Sequence, residues 1–250
     1  MSGHSKWKTN KGKKMAADAK KGAAYTKLIK EITVIAREGG GNPVTNSRLR
    51  AVMLKAKEAN MPSDNVKMAI KRGTGELPGV IYETVTYEAY GPAGVAILVE
   101  ALTDNKNRTT AELRNILSKK CGNMAGAGSV SWIFTKKGYF LIEKVQAKED
   151  ELMTLALDAG AEDFKSDDKN YEIFTSPQDF EKIKKVIDDK GIKCLDAEVT
   201  MIPSSTIKAT GGDARQVLGL VEALEDHDDV QAVYANFDIP DEILEQAAAE

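Results

Sequence analysis

Residues 138–202 read GYFLIEKVQAKEDELMTLALDAGAEDFKSDDKNYEIFTSPQDFEKIKKVIDDKGIKCLDAEVTMI, and this stretch decides the fold. Tyr139–Glu143 is a run suited to a strand, and Lys148–Ala159 has helical spacing. Glu162–Ser166 and Tyr171–Thr175 are strand-like runs joined at Asp167-Asp168. Pro177–Lys190 is helical, and Ile192–Ile202 returns to strand. The order βαββαβ is the split-βαβ, ferredoxin-like arrangement.

On either side of this unit lie pieces that cannot form a core alone. Tyr82–Tyr90 and Gly94–Leu102, with Gly91-Pro92 between them, read as a hairpin. Thr109–Lys120 reads as a helix and Ser129–Thr135 as a strand. Beyond the unit come a helix over Asp213–Glu225, a strand over Val230–Phe237, and a tail Asp241–Glu250 that is a short polar helix or disordered. Joined, the flanking pieces make a second α+β layer. The expected organisation therefore has a discontinuous domain of residues 80–137 plus 203–240, with residues 138–202 inserted in it.

Residues 1–75 are different in kind. Tyr25, Leu28, Ile29, Ile32 and Ile35 form one apolar stripe of a helix from Met15 to Arg37, which Gly39-Gly40-Gly41 stops. Leu49, Val52, Met53 and Ala56 mark a second helix, opened near Asn46 or Ser47. Val66, Ala69 and Ile70 mark a third, ending at Gly73, and Thr74–Val80 reads as a linker. The fold class is thus multidomain α+β: a three-helix domain, then two α+β domains, the last inserted into the middle one.

The 250 residues are 42% hydrophobic and 29% charged, the balance of a soluble globular protein. No apolar run reaches the length of a membrane span, and no early stretch resembles a secretory signal. Two cysteines, Cys121 and Cys194, exclude a disulfide framework and point to a reducing, cytoplasmic setting. The net charge of −3 conceals a split. Residues 1–72 carry 17 Lys/Arg against 5 Asp/Glu, a net of +12, and residues 73–250 carry the remaining 18 against 33, a net of −15. Such a split points to a polyanion as partner of the basic part.

Enzyme patterns are missing from the sequence. His4, His227, Cys121 and Cys194 do not stand at metal-ligand spacing, and there is neither a G-x-S-x-G elbow nor a G-x-x-x-x-G-K-[ST] loop. Asp226, Asp228 and Asp229 read as a loose cation site or a solvated turn, the turn being the commoner case. No catalytic residue, metal, cofactor or small-molecule substrate is expected.

The cations follow helical steps. Lys13, Lys20 and Lys27 are seven apart and Lys30 three further on; Arg48 and Lys55 repeat the step; Lys67 and Lys71 are four apart, with Arg72 adjacent. Lys14, Lys21 and Arg50 add to the same charge. Faces of this kind bind phosphates with strong salt dependence. The first fourteen residues, MSGHSKWKTNKGKK, show no hydrophobic period and read as a mobile arm. Trp7 between Lys6 and Lys8 suits stacking on an unpaired base, or packing of the arm on the helices. The third helix offers no row of base-reading side chains, a composition that grips phosphate rather than reading sequence.

With those residues in view, the chain resembles the YebC family, which includes PmpR-type bacterial proteins and the mitochondrial translational activator of cytochrome c oxidase. The resemblance runs through GHSKW (Gly3–Trp7), GGGNP (Gly39–Pro43), SRLR (Ser47–Arg50), NMPSDNV (Asn60–Val66), IKRGTG (Ile70–Gly75), YEAYGPAGVA (Tyr87–Ala96), LTDNKNRT (Leu102–Thr109), GSVSWIF (Gly128–Phe134) and DDVQAVYANFDI (Asp228–Ile239). Gly12 and Lys106 depart from the family's usual residues. The resemblance implies a three-domain arrangement with a helical N-terminal domain and no catalytic residues. It implies nucleic-acid contact through that domain and through the arm of His4, Lys6, Trp7 and Lys8. Two functions follow as expectations. One is a cytoplasmic translation factor that binds ribosomal RNA, with the ribosome and transfer RNA as partners, and relieves stalls at proline-rich sequences. The other is a regulator of transcription that binds duplex DNA with the same domain.

Overall fold

The structure is a computed structural model that describes residues 18–249. Three helices come first: α1 (Asp18–Gly39), α2 (Ser47–Glu58) and α3 (Ser63–Gly73). Their stripes meet in a core of Ile32, Ile35, Leu49, Val52, Val66 and Ala69, against which Tyr25, Leu28 and Ile29 pack. Asn46 joins two of the helices. Its Oδ1 caps α2 by accepting from the Leu49 N–H at 3.0 Å, and its Nδ2 donates to the carbonyls of Ile35 and Gly40 at the end of α1. Gly73 lets α3 touch α1: a Cβ there would stand 2.4 Å from the Thr33 carbonyl oxygen.

The first sheet comprises β1 (Glu83–Tyr90), β2 (Ala96–Thr103), β3 (Asn123–Met124) and β9 (Val230–Ala235), in the order β3-β1-β2-β9, antiparallel throughout. Helices α4 (Lys106–Lys119) and α7 (Gly211–Glu225) cover one face through Leu113, Leu117, Val217, Leu220 and Val221 over Ile97 and Val99. Val130, Ile133 and Phe134 pack on Ala96, Leu98 and Tyr234 on the other.

Between α4 and α7 the chain builds the second sheet from β4 (Phe134–Glu143), β5 (Asp163–Ser166), β6 (Asn170–Thr175) and β7 (Cys194–Pro203). Its order is β5-β6-β4-β7, with α5 (Glu149–Ala159) and α6 (Phe180–Asp189) on one face. This is the split-βαβ pattern, set within the residues that form the first sheet. Phe140 stacks on Phe180 at 4.8 Å between ring centroids. Gly138 makes room for this corner, since a Cβ would lie 2.4 Å from Thr175 Cγ2. A short parallel pair, β8 (Ile207–Lys208) with β10 (Phe237–Asp238), and a final helix α8 (Asp241–Ala249) close the chain.

Two expectations are corrected by the fold. The run Ser129–Thr135 is not one strand: Ser131–Ile133 is a 3-10 turn, and β4 starts at Phe134. The reason is Glu88, whose carboxylate takes the N–H groups of Gly128, Val130 and Ser131, so they cannot serve a ladder. Further, β4 and β7 pair from Phe134↔Pro203 to Ile142↔Cys194, so both pass straight through the junctions placed at 137/138 and 202/203.

Candidate nucleic-acid interface

α2 and α3 turn their apolar sides inward, which obliges the remaining side chains to face solvent. Arg48, Arg50, Lys55 and Lys57 are exposed along α2, and Lys67, Lys71 and Arg72 along α3. Arg37, in the last turn of α1, joins them. Lys57 and Arg37 stand seven residues after Arg50 and Lys30, so the same helical step could have added them. Three carboxylates interrupt the surface. Glu38 pairs with Arg48 at 2.6 Å, Asp64 sits 3.4 Å from Lys67, and Glu58 is exposed near the end of α2. Both ion pairs are solvent-exposed, so neither holds its cation strongly against a competing phosphate. Among the described residues these cations flank the buried stripes of α2 and α3 on both sides and are open to solvent.

His4, Lys6, Trp7, Lys8, Lys13 and Lys14 lie outside the described residues. Lys20 and Lys21 lie in the first turn of α1, and their side chains lie outside it as well.

Lys27 and Lys30 are placed otherwise than their spacing suggests. Lys30 is only 8% exposed. Its Nζ lies 2.5 Å from Asp229 Oδ1, donates to the Asp228 carbonyl at 3.0 Å, and stands 5.6 Å from the centre of the Tyr82 ring. Lys27 Nζ donates to the carbonyl of Glu225 at the C-terminus of α7, where the helix dipole favours a cation. The expectation that Lys30 sits on an open phosphate-binding row is therefore corrected: helical periodicity cannot tell which face docks on a distant part of the chain.

Asp229 is the hub of this docking and is 3% exposed. Its Oδ2 accepts from Arg108 at 2.9 Å and from Thr109 Oγ1 at 2.6 Å, both on α4. Burial alone would raise its pKa, but the hydrogen bonds from Lys30, Thr109 and Arg108 outweigh that and hold it well below the ordinary carboxylate range. The hydrogen bond to Asp229 is the chief cause that raises the Arg108 pKa. Neither a solvated turn nor a loose cation site describes Asp229.

His227 Nδ1 accepts the Asp229 backbone N–H at 3.1 Å, so the ring's proton sits on Nε2, 2.9 Å from Glu112 Oε2. Glu112, His227 and Asp229 are close enough together for a cation. Their lone pairs, however, already serve Lys30, Arg108, Thr109 and one another. The cluster is an ion-paired joint between the helical unit and the first sheet. Cys121 is exposed with φ of 57°, while Cys194 packs partly buried against the second core.

The family model described as the TACO1/YebC protein N-terminal domain matches residues 5–76, and that described as the TACO1/YebC second and third domain matches residues 82–237. A protein of Dictyoglomus turgidum named "Probable transcriptional regulatory protein" is 57% identical over 246 residues, covering 98% of this chain and 99% of its own length. One of Syntrophus aciditrophicus with the same name is 55% identical over 250 residues, covering both chains fully. The crystal structure of a conserved hypothetical protein of Aquifex aeolicus is 43% identical, with a TM-score of 0.77, covering 89% of this chain and 92% of its own.

Proposed function

Because the chain belongs to the TACO1/YebC family, we propose that it is a nucleic-acid-binding regulator whose grip is the outward face of α2 and α3. The observation that carries this is the set Arg50, Lys55, Lys57, Lys67, Lys71 and Arg72, exposed on two successive helices that both pack on α1, in a unit with a net charge of +12 beside a body of −15. Phosphates laid on that face release counterions, and the acidic body fixes which side of the molecule approaches. The names of the full-length relatives favour regulation of transcription, and in this reading the basic helical unit takes duplex DNA as its target. It acts by binding, with no catalytic step of its own, in the cytoplasm.

A second reading, ribosomal RNA bound by a translation factor, has its own support. The exposed residues of α3 are Ser63, Asp64, Lys67, Met68, Lys71 and Arg72, with Asn65 half-buried, a set weighted toward cations that grip phosphate and without a row of base-reading amides. One comparison separates the two. The full chain is titrated with promoter-sized duplex DNA and sedimented with ribosomes, both across a salt series. Sequence-selective retention of DNA supports the first reading, and salt-sensitive co-sedimentation with ribosomes supports the second. Absence of both at low salt overturns the proposal.

A further inference from the structure

α4 is charged unlike the rest of the body. Residues 106–120 hold five cations and one acid, whereas residues 73–250 as a whole hold 18 cations and 33 acids. Burial settles its faces. Thr109, Leu113 and Leu117 turn to the sheet, so Ala111, Arg114, Asn115 and Ser118 turn outward, and all four are exposed. Asn107 lies one turn before Ala111 on the same strip and is exposed too. α7 stands on one side of α4. Arg108 and Glu112 mark that side, where they reach Asp229 and His227 beyond the end of α7. Asn107 and Arg114 mark the other flank. α4 itself lies over β1 and the edge strand β3.

This strip is open chemically as well as sterically. Among the described residues the side chains of Asn107, Arg114, Asn115, Ser118 and Lys119 form no hydrogen bond or ion pair. Glu112, the one carboxylate of the helix, is held by His227 at 2.9 Å, and Asp104, just before it, is held by Arg108 at 2.8 Å. On α7 the exposed charges of the first turns, Asp213 and Arg215, offset each other. Between its cations α4 does not show the Lys/Glu mixture of an ordinary solvated face. It shows two amides, a guanidinium, a hydroxyl and a methyl. An Asn amide pairs with the adenine edge, Arg forks onto guanine, Ser serves either, and an Ala methyl contacts that of thymine. Ala111, Arg114, Asn115 and Ser118 stand at offsets 0, 3, 4 and 7, the spacing by which a helix in the major groove reaches successive base pairs.

We propose that α4 is the base-reading helix of this protein, with Arg114 and Asn115 selecting sequence on duplex DNA while Lys106 and Lys119 hold the flanking phosphates. This rests on the transcription reading above and deepens it. α2 and α3 supply a grip on phosphate without a row of base-reading amides, and α4 supplies that row. The joint described above ties the two surfaces together. Arg108 belongs to the first turn of α4 and Lys30 to the helical unit, and both hold Asp229.

The test uses the full chain and a library of blunt duplex DNA with a random core of about two helical turns. Duplexes retained by the protein are sequenced. Wild type is expected to enrich a short motif. Asn115→Ala is expected to lose a preference of roughly tenfold or more at one base pair, with affinity for the unselected library unchanged. Arg114→Lys keeps the charge without the fork, so it is expected to keep the slope of log affinity against log salt and to lose the preference at a neighbouring pair. Replacing Lys67, Lys71 and Arg72 by alanine is expected to do the reverse, weakening all sequences alike and leaving the motif in place. Both α4 positions are exposed, and alanine and lysine are good helix formers, so these two variants are expected to melt no lower than wild type. If both enrich the wild-type motif with the same preference, the role of α4 is overturned while the functional reading stands. A wild type that binds the library and enriches no motif overturns that role too. A wild type that binds no duplex at low salt overturns the transcription reading, and the role of α4 with it.

Discussion

Lys30 and Asp229, 199 residues apart in sequence, meet at 2.5 Å in a nearly dry joint. One residue belongs to the basic helical unit and the other to the turn before the last strand of the first sheet. Asp229 also holds Arg108 and Thr109, so removing either partner strands a buried charge or leaves donors unmatched.

Lys30→Ala is therefore expected to lower the unfolding free energy by about 3 kcal/mol. Urea denaturation followed by circular dichroism checks this. A change within about 0.5 kcal/mol of wild type, the range of an ordinary surface site, would contradict the joint.

The same carboxylate sets a pH response. The folded Asp229 pKa is depressed, so its contribution is complete above the unfolded value of ~3.9 and is lost progressively as the pH falls below it. Stability measured against pH is expected to fall below about pH 4, and Asp229→Asn is expected to flatten that part of the curve. A wild-type curve of the same shape as the variant's would exclude Asp229 as the source.

The open and docked cations should differ in their response to salt. Replacing Lys67, Lys71 and Arg72 by alanine is expected to reduce the slope of log affinity against log salt by about 0.9 for each phosphate left unneutralised. Lys30→Ala is expected to leave that slope unchanged. Equal slope changes in both variants would show that Lys30 reaches the phosphates after all.

Glu88→Gln leaves one oxygen where two accept three N–H groups, and it turns an amide donor toward them. A loss of about 2 kcal/mol is expected. Increased hydrogen exchange at Gly128, Val130 and Ser131 should accompany it, and unchanged protection of those amides would speak against the cradle.

The elements that own a short-range signal are legible in the sequence. The stripe Tyr25 to Ile35 forms the helix it marks, and the βαββαβ order gives the second sheet its topology. What escapes depends on contacts across the chain. Nothing near Lys30 announces a partner at Asp229. Nothing in Ser129–Thr135, which has strand composition, announces that Glu88, some forty residues earlier, diverts its N–H groups. Sequence alone makes Trp132, 71% exposed in the fold, one more residue of a strand, because exposure is decided by the neighbours that turn inward.

Placing the second sheet inside the first has a consequence for synthesis. As the polypeptide leaves the ribosome that makes it, β2 appears early and its partner β9 only after the whole intervening unit. Until then one edge of the first sheet stands open, a template for pairing with another nascent chain. Fast, independent folding of the interior segment would shorten that interval, and slowing it should raise the yield of aggregated product.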